Sequence, residues 1–362
     1  VEKEKFIDTL VNRITIDSPK YLKQKLVNSI KENKIGYYGK IKKEGICLTN
    51  KSIDEKLKEC LKEDVKTIKC LDILEMEKGY KYSILYRYSK CDFDKLKNIS
   101  TNIDTNYFNE YSKEQVVEDE ILYKETSEKL WIKFHKYFEI INVNEENVEK
   151  KNVRYPIVII FYKKLNMMEV RFDKLSLNKN YDFFKITMDT RLASLKSKAD
   201  LKCSTLNLED TIREIVKTKK DMVKQIIWSF EAAKSRGYTL KVGEDGVMPF
   251  VGELENLLKI LKKEYKSKEC VKCIEEMEAY VDKTKKFADE KFRILSWVKK
   301  KENNKIINLE DTKKTIDLKI TFKYSNYNMD LINIYDNEIN DAERVDYVIE
   351  FIGQIAKDIG EL

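Results

Sequence analysis

Apolar residues recur with helical spacing from the start of the chain. Phe6, Leu10, Val11 and Ile14 share one face of a helix predicted over 3–14. Asp17-Ser18-Pro19 breaks that pattern and opens a second helix, where Pro19 occupies a first-turn position whose missing N–H costs nothing. Leu22, Leu26, Val27 and Ile30 then repeat the spacing. Runs at 35–42 and 46–49, separated by Lys43-Glu44-Gly45, read as a short hairpin, and a helix follows over 52–63. The segments 65–75 and 80–89 read as a second hairpin turning through Glu77-Lys78-Gly79.

A polar, Asn-rich and acidic stretch at 101–128 separates this unit from strand-like runs at 131–143, 154–163 and 167–172. Ile157, Val158, Ile159, Ile160 and Phe161 follow one another without a polar break, which predicts a strand covered on both faces. From 206 to about 300 the period turns helical. Leu208, Ile212, Ile215, Met222, Ile226 and Phe230 form one stripe, and Leu254, Leu257, Leu258, Leu261 and Tyr265 a second. Ile274, Met277, Val281, Ala288, Leu295 and Val298 form a third. Residues 299–305 read as an exposed linker, followed by strands at 318–324 and 329–335 and a helix over 342–359.

The fold class is therefore α+β. Two β-hairpin-containing units with flanking helices are expected, with a helical hairpin section at about 206–300 and a C-terminal β-hairpin plus helix. The expected division is 1–100, an acidic connection at 101–128, and 129–362.

Composition narrows the chemistry. The 362 residues include only 10 glycines and 3 prolines, and 42% are hydrophobic, enough for a core. The longest apolar run, Pro156 to Tyr162, has the length of a strand, so no membrane partner is expected. The chain opens on Val1 rather than Met, which leaves room for residues ahead of it, and its first residues lack the apolar run of a secretory signal. Seven scattered cysteines point to reduced thiols and a cytoplasmic location. His135 is the single histidine, which removes His-rich zinc sites and two-histidine hydrolases, and it reads as an ordinary strand residue. Cys270-x-x-Cys273 has no second pair to complete a zinc site and reads as two small residues on a helix. No phosphate-cradling glycine motif occurs. The cluster Gly237, Gly243, Gly246 and Gly252 fits a turn between strands at 238–242 and 247–251. Neither a cofactor nor a metal is expected.

Charge is uneven: 1–50 and 151–200 are rich in lysine and arginine, 101–150 and 301–362 in acids. On a strand over 80–88, Tyr80, Tyr82, Tyr86 and Tyr88 share one face, an arrangement able to stack bases. Together with Arg87, with Tyr37, Tyr38, Lys40, Lys42 and Lys43, and with Arg154, Lys163 and Lys164, they form the candidate nucleic-acid-binding set. These features point to a non-enzymatic nucleic-acid-binding or scaffolding component of a larger cytosolic assembly, with a protein partner as well. One alternative is a protein–protein adaptor docking through the helices of 206–300. The other is a Mg²⁺-dependent nuclease in which Glu169 and Asp173, on one strand face with Arg171, bind the metal.

Overall fold

A computed structural model describes residues 3–39, 44–104, 121–143, 148–173, 182–232, 238–242, 251–287, 289–298, 315–324, 329–335 and 342–362. The chain is α+β, and its contacts divide it into Val1–Ser204 and Thr205–Asn337, with 338–345 and 362 grouped with the first unit and 346–361 with the second.

The first unit begins with α1 (Lys3–Asn12), prolonged by a wider turn at Arg13–Asp17, and α2 (Lys20–Glu32). Two short strands, β1 (Gly36–Tyr37) and β2 (Ile46–Cys47), follow and pair parallel. They therefore do not form the expected hairpin. Gly45, at φ +101°, turns the chain where its Cβ would strike the Ile35 carbonyl. Next come α3 (Ile53–Glu63), α4 (Lys66–Glu77), β3 (Tyr82–Lys90), α5 (Phe93–Asn98), β4 (Thr101–Asn102), β5 (Leu122–Glu125), β6 (Lys129–Val143), β7 (Val148–Tyr162), β8 (Met167–Phe172), α6 (Asp182–Lys198) and β9 (Lys202–Thr205). Ser52 starts α3 with a reciprocal capping box to Glu55.

The segment expected to be a strand at 65–75 is helix α4. Its buried positions, Thr67, Ile68, Cys70, Leu71, Asp72, Glu75 and Met76, follow a helical spacing that its β-branched residues obscure. Leu57, Leu61, Ile68 and Leu71 join Phe6, Leu10, Ile30 and Leu48 in one apolar core.

Strands of this unit lie in the order β3-β8-β7-β6-β5-β4, with β9 also on β3. The pairing of β3 with β8, Tyr82 opposite Phe172 and Ile84 opposite Val170, ties the first hundred residues to the later strands. Contacts group the described residues on either side of 101–128 in one unit that ends near 204.

The second unit holds α7 (Glu209–Thr218), β10 (Val223–Ala232), β11 (Tyr238–Val242), α8 (Val251–Glu264), α9 (Lys268–Phe287), β12 (Asp289–Val298), β13 (Thr315–Thr321) and β14 (Leu331–Ile334). Most of α10 (Ala342–Asp358) belongs to it too. Its strands run β11-β10-β12-β13-β14, each pair antiparallel. Two stretches expected to be helical are strands here. Helix α7 stops at Thr218, and Val223–Ala232 pairs on both sides, with β11 and β12; 289–298 likewise lies between β10 and β13. Central pairing overrides an apolar spacing that fits either period. Trp297 and Leu295 are fully enclosed among Ile316, Leu318, Ile320 and Ile332 in the same unit's buried core. Strand β11 matches the expected strand at 238–242, while most of the turn beyond it, along with the linker at 299–305, lies outside the described residues.

Candidate functional sites

Side-chain alternation puts six polar residues on one face of the first unit's sheet. Lys133 and His135 come from β6, Arg154 from β7, Glu169 and Arg171 from β8, and Ser83 from β3. All six are buried. Helix α4 lies over β6 and lowers Asp72 and Glu75, one turn apart, onto that face.

The ammonium of Lys133 bridges the two carboxylates, 2.5 Å from Asp72 Oδ1 and 2.6 Å from Glu75 Oε2. Arg154 adds Nη1 at 3.2 Å from Asp72 Oδ1 and donates from Nη2 to His135 Nδ1 at 2.9 Å. A guanidinium can only donate, so Nδ1 must accept and the neutral ring carries its proton on Nε2. That Nε2–H faces Asp72 at 3.6 Å and Glu75 at 3.8 Å.

Asp72, Glu75 and His135 offer three metal-ligating atoms within 4.8 Å of one another. Their chemistry is nonetheless that of an ion network. Two cations already balance the two anions, the ammonium occupies the space between the carboxylates, and the imidazole turns its proton rather than its lone pair inward.

Burial by itself would raise the carboxyl pKa values, but Arg154 and Lys133 hold Asp72 well below the usual range, and Lys133 with His135 holds Glu75 down to about 2. Burial, reinforced by the two neighbouring cations, lowers His135 and keeps it neutral. The sign for stability follows directly. Below about pH 6.5 the unfolded histidine takes up a proton that the folded one refuses, and below about pH 4 unfolded carboxylates do the same. The first unit is therefore expected to lose stability progressively from neutral pH down towards the low folded pKa values. Urea titrations from pH 8 to pH 3 measure this, and a midpoint that does not move would contradict the ionisation described.

Beside this cluster, Glu169 accepts from Ser83 Oγ at 2.6 Å, Tyr162 Oη at 2.7 Å and Arg171 Nη2 at 2.7 Å. Asp173 pairs with Lys78 and accepts from the Lys81 backbone N–H at 2.9 Å. Glu169, Arg171 and Asp173 do share a face, as expected for the nuclease reading. Their oxygens are committed to protein donors, and Glu169 and Arg171 are sealed from solvent, so the arrangement leaves a phosphate no approach.

The tyrosine-bearing strand is also enclosed. Tyr82 stacks on Phe172 with centroids 5.7 Å apart, and Tyr88 meets Phe161 edge-on at 5.6 Å. Tyr80 donates to the Glu75 carbonyl at 2.7 Å beneath the Lys78 ammonium, and Tyr86 is buried. These four rings are core, because both faces of β3 are covered; none presents a flat surface to a base. Arg154 belongs to the ion network. Arg87 is exposed, with Nε donating to Ser204 at 2.9 Å, while Lys163 pairs with Glu125 at 2.7 Å and Lys164 with Glu128 at 2.5 Å. Tyr37 is half-buried. Tyr38 is exposed, with the Lys56 ammonium 5.2 Å from its ring centre, and Lys40, Lys42 and Lys43 lie outside the described residues. The set is thus split between a buried sheet and separate surface positions.

The second unit presents a different kind of surface. Helices α8 and α9 pack through a small core of their own, Leu258, Ile274 and Val281, flanked by Leu254 and Leu261. Large apolar side chains nonetheless remain outside it: Leu257 is 50% exposed, Ile260 52%, Met277 46% and Tyr280 70%. Each pair is three residues apart and lies about a quarter-turn from its helix's buried seam. In an antiparallel hairpin the two pairs therefore fall on the same side. Cys270 and Cys273 lie on α9 as free thiols, Cys273 exposed. Among the described residues no helix is long and apolar enough to cross a membrane.

A strand over 65–75 puts residues 72 and 75 on opposite faces, so Asp72-x-x-Glu75 becomes a pair only in the helix the structure shows. The available signal is charge at alternate positions, Lys133 and His135, among the apolar Trp131, Ile132 and Phe134. Compared with known proteins, the chain matches no family model and no curated protein.

Proposed function

We propose that this protein is a non-enzymatic scaffolding component that binds protein through the hairpin of α8 and α9. The observation that carries the reading is the face of Leu257, Ile260, Met277 and Tyr280, apolar side chains left in water beside a complete internal seam. Aromatic and Met side chains are enriched at such contacts. The polar constellations, by contrast, are charge-balanced and internal, which supports a structural role for them. The test is capture of partners from the native host after nuclease treatment. Leu257→Asp, at an exposed site, is expected to leave folding intact and abolish capture; unchanged capture would remove the reading.

A phosphate-binding role retains one specific support, the exposed Tyr38 beside Lys56 in the lysine-rich N-terminal region. If it operates, filter binding to single-stranded DNA or RNA weakens steeply between low and physiological salt. Retention indifferent to salt, or none at low salt, would exclude it.

A further inference from the structure

We infer that the α8–α9 face receives a cationic amphipathic helix of a partner protein, seated between the two helices with its apolar side down and lysines or arginines along its edges. The inference rests on the protein-binding reading above and names the partner's chemistry.

Helix periodicity fixes what shares that face. At about 100° per residue, Glu253, Leu257, Ile260 and Glu264 of α8 fall within about 60° of one another. The stripe is two apolar side chains bracketed by two carboxylates, and all four are exposed. On α9, Glu269, Cys273, Glu276, Met277 and Tyr280 are likewise exposed and occupy one arc of about 100°. The ion pair of Lys262 with Glu278, at 2.8 Å, belongs to the opposite side of the hairpin and sets the level of one helix against the other. By that register Ile260 is level with Tyr280, and Glu264 with Glu276. Lys259, Lys263 and Lys272 lie outside both arcs, as do the acids Glu255, Glu275 and Asp282. Among the described side chains, every charge on this face is therefore negative; those of 283–287 lie outside the described residues.

Helix stability does not demand that sign. Glu253 and Glu269 stand in first turns, where the dipole favours an acid. Glu264, however, is the last residue of α8, where a carboxylate opposes the dipole, and Glu276 lies mid-helix. The same charges sort the occupants. A second copy would set acid against acid, and a nucleic acid or an anionic membrane would bring phosphates to glutamates. A basic helix meets the opposite condition. Its apolar side covers Leu257, Ile260, Met277 and Tyr280, and its cations reach the glutamates around them.

Fluorescence anisotropy tests this with labelled synthetic peptides. The first places leucines at helical spacing among lysines, the second replaces its lysines with glutamates, and the third scrambles the first so that leucine spreads around the helix. The chain carries a net charge of +7, so attraction to the molecule as a whole favours the glutamate peptide, and a preference for lysine reports the local face. The lysine peptide is expected to bind at least about tenfold more tightly than the other two. Glu264→Lys with Glu276→Lys, both at exposed sites, should weaken it at least about tenfold. No preference for lysine, a scrambled peptide held as tightly, or a double variant that binds normally would each overturn the inference. So would a dimer in sedimentation that Leu257→Asp disperses, since the face would then belong to a second copy. If the peptides show no such preference while Leu257→Asp still abolishes capture of a host protein, the cationic partner is excluded and the protein-binding reading stands. If Leu257→Asp changes neither peptide binding nor capture, both fail.

Discussion

Replacing Lys133 with methionine is expected to lower the stability of the first unit by about 3–5 kcal/mol, the usual cost of leaving a buried charge without its partner. The ammonium is wholly enclosed and is shared by Asp72 and Glu75. Without it, two carboxylates face a single guanidinium, Arg154, and water has no route to either. At roughly 2–4 °C per kcal/mol for a unit of this size, the melting transition should fall by about 6–20 °C. A charge-balanced double variant, Lys133→Met with Glu75→Gln, is expected to recover most of that loss, because Asp72 keeps Arg154 at 3.2 Å. Calorimetry of the two variants decides the point. A harmless single substitution, or a double variant as unstable as the single one, would show that Lys133 does not neutralise the pair.

Substituting Glu169 with glutamine is expected to be of similar size, about 3–5 kcal/mol, for the opposite reason: here a cation is stranded. Glutamine has one acceptor oxygen where Glu169 offers one to Ser83 and the other to Tyr162, so it can keep only one of these bonds, and it cannot neutralise Arg171, which is 1% exposed. Adding Arg171→Met should restore much of the stability, giving a coupling of roughly 1–3 kcal/mol in a double-mutant cycle measured by urea unfolding. This experiment also bears on the nuclease alternative. A metal-binding carboxylate in an open site would lose cleavage with little change in folding, whereas this one is expected to lose folding first.

Both predictions concern groups whose importance was hard to see in the chain. That Glu169, Arg171 and Asp173 share a face is legible in the sequence, since strand alternation is a local property. That the same face is roofed by α4, and that Ser83 and Tyr162 complete the donors to Glu169, depends on residues 7 to 86 positions away. The tyrosines of β3 show the same limit from the other side. Their alternation was legible, but an amphipathic ring suits either a base-stacking surface or a core. The choice fell to Phe172 and Phe161, which reach them across the sheet.

Locally coded features were the ones the residues announced without help. The α1 and α2 stripes, the Ser52 start of α3, the doubly covered strand around Ile157–Phe161 and the α+β class all follow from spacing and capping, which act within a turn or a strand. Tertiary packing decided whether 65–75, 222–232 and 289–298 became helix or strand, because their apolar positions satisfy both periods and only hydrogen-bonded neighbours or a receiving core separate them. It also decided which charges are inside. A lysine, a glutamate or an arginine has the same name in water as in an ion network, and only the arrival of its counter-charge from a distant element makes burial affordable.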